Sequence, residues 1–140
     1  MVLAQPKTTQ FNSLEYEFVN HADFKTLELQ VYGQIHVCTF LDMIEQVNKE
    51  LHQRKYRNLI YHSMRADPSS MTTDDLKETV SGTNAFNQTL EGGRLAAVVD
   101  NKLSFGMFRM WHAFSSSDMT YEFEIFTKYQ LAESWVRQNN

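Results

Sequence analysis

The 140 residues include one cysteine, Cys38, two prolines and five glycines. A single cysteine excludes an internal disulfide and the zinc frameworks built from paired cysteines. It fits a reducing setting, so a cytoplasmic location is expected. Basic runs are missing too. The net charge is −4, and the densest cationic cluster is Arg54, Lys55 and Arg57. That cluster stands between an expected helix and an expected strand, where a helix C-terminus attracts cations. With no run able to neutralise phosphates, nucleic acid is not an expected partner. No apolar stretch approaches the roughly 20 residues of a membrane span. The opening MVLAQPKTTQ lacks the charged start and apolar centre of a secretory signal.

Catalytic and cofactor motifs are equally scarce. There is no H-x-x-x-H and no C-x-x-C; His36 and Cys38 stand two apart and His21 is distant, so no metal site is expected. Cys38 reads as a small buried hydrophobe. Gly92-Gly93 precedes a strand rather than a helix, unlike a dinucleotide loop, and no cofactor is expected. No G-x-S-x-G elbow exists. His62 and Ser63 are neighbours on an expected strand, so they point to opposite faces and cannot meet as base and nucleophile.

What is present suffices for one core. Hydrophobic residues make up 42% and charged residues 21% of the chain, with ten Phe, six Tyr and two Trp. Residues 1–11 read as a loose polar leader and 12–140 as a single domain. LEYEFVN (14–20) and KTLELQVYG (25–33) alternate apolar and polar residues with period two and predict an antiparallel hairpin, with Leu27, Leu29 and Val31 inward. From Thr39 to about Gln53 the period becomes helical, with Phe40, Ile44, Val47 and Leu51 on one stripe. NLIYHSM (58–64) predicts a short strand. Residues 72–90 read as one helix opened by a Thr72–Asp75 capping box, with a thin stripe of Leu76, Val80, Thr83, Asn87 and Leu90. RLAAVV (94–99) is a strand apolar on both faces. Asp100 or Asn101 can cap the helix that follows. MTYEFEIFT (119–127) alternates again, and KYQLAESWVRQ (128–138) predicts a closing helix with Leu131, Ala132, Trp135 and Val136 inward. Strands separated by helices imply crossovers and a mostly parallel sheet.

In the C-terminal third, RLAAVVDNKLSFGMFRMWHAF is followed by YEFEIFTKYQLAESWV. With its D-N-x-L-S-F-G-x-x-R-M helix start and closing A-x-x-W helix, this segment resembles the SpoIIAA-like or STAS-like superfamily. The resemblance implies a mixed, mostly parallel α/β sheet of four or five strands with about four helices, a hairpin at its start, and no enzyme activity. It also implies protein partners, because the best-studied relatives are anti-sigma-factor antagonists with a phosphorylatable Ser or Thr at a helix start. Their D-S-S-G-like setting is absent here. The equivalent loop, SMRADPSSMTTDDL, offers Ser69, Ser70, Thr72 and Thr73 as phosphorylation candidates, but hydroxyls at such a place are ordinarily caps, and Asp74 and Asp75 would repel a phosphate. Other relatives are related to lipid-transfer domains, which makes an apolar ligand an option.

Two surfaces are candidates for function. His62, Arg65, Asp67, Asp100 and Asn101 gather at strand carboxyl ends, where α/β proteins place crevices. The helix after Asp100 is apolar nearly all round. At about 100° per residue, Leu103, Met107, Met110, Trp111 and Phe114 form one stripe, expected to face the sheet. Phe105, Phe108 and His112 gather opposite, as candidates for an interface or an apolar pocket. The chain therefore reads as a non-enzymatic binding or regulatory module, a homodimer or a partner of another protein. A carrier of a small apolar ligand is the alternative, and a hydrolase comes third.

Overall fold

The computed structural model describes residues 13–139, so the expected leader lies outside the described residues. The elements follow the expected order. Strand β1 (Glu15–His21) turns through a short 3-10 segment into β2 (Thr26–Tyr32). Then come α1 (Val37–Arg54), β3 (Asn58–Ser63), α2 (Thr73–Gly82), a short α3 (Phe86–Thr89), β4 (Arg94–Val98), α4 (Lys102–Ser115), β5 (Glu122–Phe126) and α5 (Tyr129–Arg137).

The five strands form one sheet in sequence order, β1 antiparallel to β2 and the others parallel. Three successive crossovers therefore step the same way. With the right-handed rule, they must lay α1, α2 and α4 on one face. The larger core sits there, built on Leu27, Leu29, Val31, Leu59 and Tyr61 from the sheet and on Met43, Val47, Leu51, Leu76, Phe86 and Trp111 from the helices. Only α5 returns to the other face, over a smaller cluster of Phe24, Ile60, Ala96, Val98, Ala132 and Val136. This is a mixed, mostly parallel α/β fold, as expected, with five helices among the described residues where about four were expected.

The extra helix arises because the expected 72–90 helix breaks. The Thr72–Asp75 capping box forms in both directions. Gly82 ends α2, and a Cβ there would meet Leu41 of α1 at 2.2 Å. The residue that weakens the helix also lets two helices approach closely. Leu76, Thr79, Thr83, Phe86 and Leu90 are the buried positions, so Thr79 and Phe86 replace Val80 and Asn87 on the expected stripe.

Three burial expectations need correction. Cys38 is exposed, in the first turn of α1 and off its apolar stripe. Leu131 lies on the solvent side of α5, whose inner positions are Ala132 and Val136. The largest correction is the phase of α4. Its sheet-facing row is Ser104, Met107, Phe108 and Trp111, whereas Leu103, Met110 and Phe114 are 47%, 40% and 42% exposed. Phe108 does not lie opposite the sheet as expected. Its ring is 5.0 Å from Tyr61, 6.5 Å from Trp111 and 6.1 Å from Phe123, centre to centre. Small buried Ser104 lets the helix start sit close, and edge-on and stacked aromatic pairs reward this rotation more than Leu and Met would the other.

Candidate functional site

On the face covered by α1, α2 and α4 lies a partly open cavity of about 70 Å³. Leu29, Tyr61 and Ser63 project into it from the sheet, Phe40 and Ile44 from α1, Leu76 and Thr79 from α2, and Met107, Phe108 and Trp111 from α4. The half-buried Phe40, Met71, Met107 and Phe108 mark its more accessible side. The lining is nearly all apolar. Of its hydroxyls, Thr79 Oγ1 donates to the Leu76 carbonyl at 2.6 Å, and Thr83 Oγ1 donates to the Thr79 carbonyl at 2.8 Å. Trp111 Nε1 donates to Thr83 Oγ1 at 3.1 Å. Ser63 Oγ is buried with no hydrogen-bond partner. Burial pushes the neighbouring Tyr61 phenol well above its ordinary value.

The other face holds a buried carboxylate. Glu28, only 3% exposed, accepts from His21 Nε2 at 2.7 Å and from Tyr129 Oη at 2.8 Å on Oε1. Its Oε2 accepts from His62 Nδ1 at 2.9 Å and Gln30 Nε2 at 3.1 Å. Burial alone would raise its pKa. The bonds from His62, His21, Gln30 and Tyr129 outweigh burial and hold the carboxyl down at about 2. An ionised carboxylate only accepts, so each imidazole presents an N–H to it. The His62 ring also stacks on Tyr129, with centres 5.0 Å apart. Burial, then the bond to Glu28, pushes the Tyr129 phenol up. The arrangement orients two imidazoles but offers no nucleophile, because Ser63 points into the cavity across the sheet.

The crevice candidates separate accordingly. Arg65 and Asp100 do meet, the Arg65 amide donating to Asp100 Oδ2 at 3.2 Å, with Arg65 in a left-handed conformation at φ 61°. Asn101 adjoins them and caps α4 by accepting from the Ser104 amide at 2.8 Å. Asp67 sits apart, its Oδ1 accepting from the Ser69 amide and its backbone tied to Gly33 and Ile35. His62 belongs to the Glu28 cluster. Ser69, Ser70, Thr72 and Thr73 are all exposed; Ser70 Oγ accepts from Gln34 at 2.5 Å, and Thr72 serves as the α2 cap. Phe105 is half-buried, and the His112 ring lies 5.0 Å from Phe123. Among the described residues, no cluster of three or more His, Cys, Asp or Glu is arranged to hold a metal, and no helix is long and apolar enough to cross a membrane.

Glu28, His21, Gln30 and Tyr129 escaped the sequence reading. In KTLELQVYG, Glu28 and Gln30 occupy what alternation makes a wet face. The usable signal was topological: three crossovers on one face leave the closing helix to cover the other, and Tyr129 at its start reaches Glu28.

A sheet ordered 1-2-3-4-5, opened by a hairpin and wound in one direction, defines a SpoIIAA-like, STAS-like fold. The sequence matches no family model and no curated relative. Among solved structures, it is similar to the crystal structure of an anti-sigma factor antagonist from Mycobacterium paratuberculosis. The TM-score is 0.56 at 12% identity, over 89% of this chain and 95% of that one.

Proposed function

We propose that this chain is a non-enzymatic, cytoplasmic regulatory module that works by docking protein on the outer face of α4, with a second copy of itself as the occupant. The carrying observation is the exposed row of Leu103, Met110 and Phe114, which fall within one narrow stripe of the helix. Gly106 lies between the first two, and a Cβ there would meet nothing within 4 Å. A notch between large side chains suits the ridges of a facing helix. Symmetric pairing is the commonest assembly of soluble chains. The fold supports the regulatory reading, since the similar solved structure is named as an antagonist of an anti-sigma factor. Phe105 and His112 lie on the side of α4 away from this surface, His112 against Phe123, and Phe108 packs against the sheet. Phosphorylation of Ser69, Ser70, Thr72 or Thr73 would adjust the charge beside α2.

Light scattering tests the docking surface. Wild type is expected at twice the chain mass, and Met110→Glu with Phe114→Glu at the chain mass with an unchanged circular dichroism spectrum. A wild-type protein that stays monomeric at every concentration removes the second copy as occupant. A second reading, carriage of a small apolar molecule, is favoured by the cavity beneath the same helix.

A further inference from the structure

We infer that the cavity between the sheet and α4 is a binding site for a short apolar molecule bearing one hydrogen-bonding oxygen, held by Ser63. The inference rests on the second reading above and supplies its ligand chemistry. A volume of about 70 Å³ is roughly five times what one water needs, which corresponds to a chain of about five or six heavy atoms. Water is a poor occupant at that size. Each buried water needs two to four polar partners, and here Thr79 and Thr83 have spent their hydroxyl protons on backbone carbonyls. Of the lining residues, Ser63 has a fully buried oxygen left without a hydrogen-bond partner. A buried hydroxyl without a partner is unfavourable, so one polar atom on the occupant is matched by one on the wall. Apart from the hydroxyls of Tyr61, Thr79, Thr83 and Ser104, the remainder of the wall is hydrocarbon, aromatic ring and thioether.

Trp111 lies in the wall, and Trp135, on the other face of the sheet, is the only other tryptophan. A Trp135→Phe background therefore turns emission into a report on the cavity. In that background, 1-pentanol and 1-chloropentane, of about six heavy atoms each to match the cavity, are titrated into the full chain. Both are expected to shift Trp111 emission saturably, and the 1-alkanol series is expected to pass through an affinity maximum near five or six heavy atoms. Ser63→Ala should weaken 1-pentanol about fivefold and leave 1-chloropentane unchanged, the fold-change of one net hydrogen bond. Thr79→Leu, which adds bulk to the wall and favours the helix, should abolish both. Absence of saturation by either compound, or affinity that climbs with chain length without a maximum, overturns the site. Equal weakening of both compounds by Ser63→Ala overturns the role of the hydroxyl. The readings are made on the isolated chain, so a failed dimer test leaves them intact and their failure leaves the dimer test intact.

Discussion

Replacing Glu28 with Gln keeps the shape of the side chain and removes its charge. In the folded chain this carboxyl titrates at about 2, against 4.5 for an unperturbed glutamate. A difference of that size, at about 1.4 kcal/mol per pH unit, is worth about 3 kcal/mol of folding stability. The folded value is the depressed one. The contribution is therefore complete above about pH 5 and drains away as pH falls from there towards 2. Denaturant unfolding of wild type and Glu28→Gln at intervals between pH 2.5 and 7 isolates it, because the other carboxylates titrate in both proteins. The variant should be less stable by about 3 kcal/mol at neutral pH, and the gap should close progressively below pH 5. A gap of constant size across that range would refute the reasoning. It would mean that the four hydrogen bonds to Glu28 act through shape and not through its charge.

Phe108→Ala removes a ring packed on Tyr61, Trp111 and Phe123, and should cost about 2–4 kcal/mol by the same unfolding assay, whereas Met110→Ala should stay within about 0.5 kcal/mol. Gly93→Ala should cost about 3 kcal/mol or more, because its Cβ would stand 1.7 Å from the Arg57 carbonyl oxygen. Asn101→Ala leaves the Ser104 amide of α4 without its acceptor and should lower stability by about 1 kcal/mol, read in the same way.

The order of elements, the hairpin and the parallel crossovers were legible in the chain because period two, period 3.6 and capping chemistry are local. The Thr72 capping box was readable residue by residue, and the α4 cap to two neighbours, Asp100 and Asn101, of which Asn101 serves. The phase of α4 was not. Leu103, Met110 and Phe114 form as good an apolar stripe as Met107, Phe108 and Trp111, and only the aromatic partners Tyr61 and Phe123, far off in sequence, decide between them. The buried carboxylate was hidden for a related reason: a glutamate between leucines looks solvated until a helix from the end of the chain is laid over it. His62 was picked out as polar, but its true companions come from β1, β2 and α5. An apolar pocket on α4 was among the readings, and Phe108 lines the cavity, but Phe105 and His112 do not; its other walls come from β2, β3, β4, α1, α2 and α3, which no local pattern brings together.

Helix α4 is a partition wall, with one row of side chains against the hollow and another facing outward. A guest inside and a protein outside would grip the same fourteen residues. Should filling the hollow alter the grip outside by some factor, thermodynamic reciprocity requires the outer partner to alter the guest's hold by that same factor. A single rod would then let the chain report a small greasy molecule to whatever docks on it.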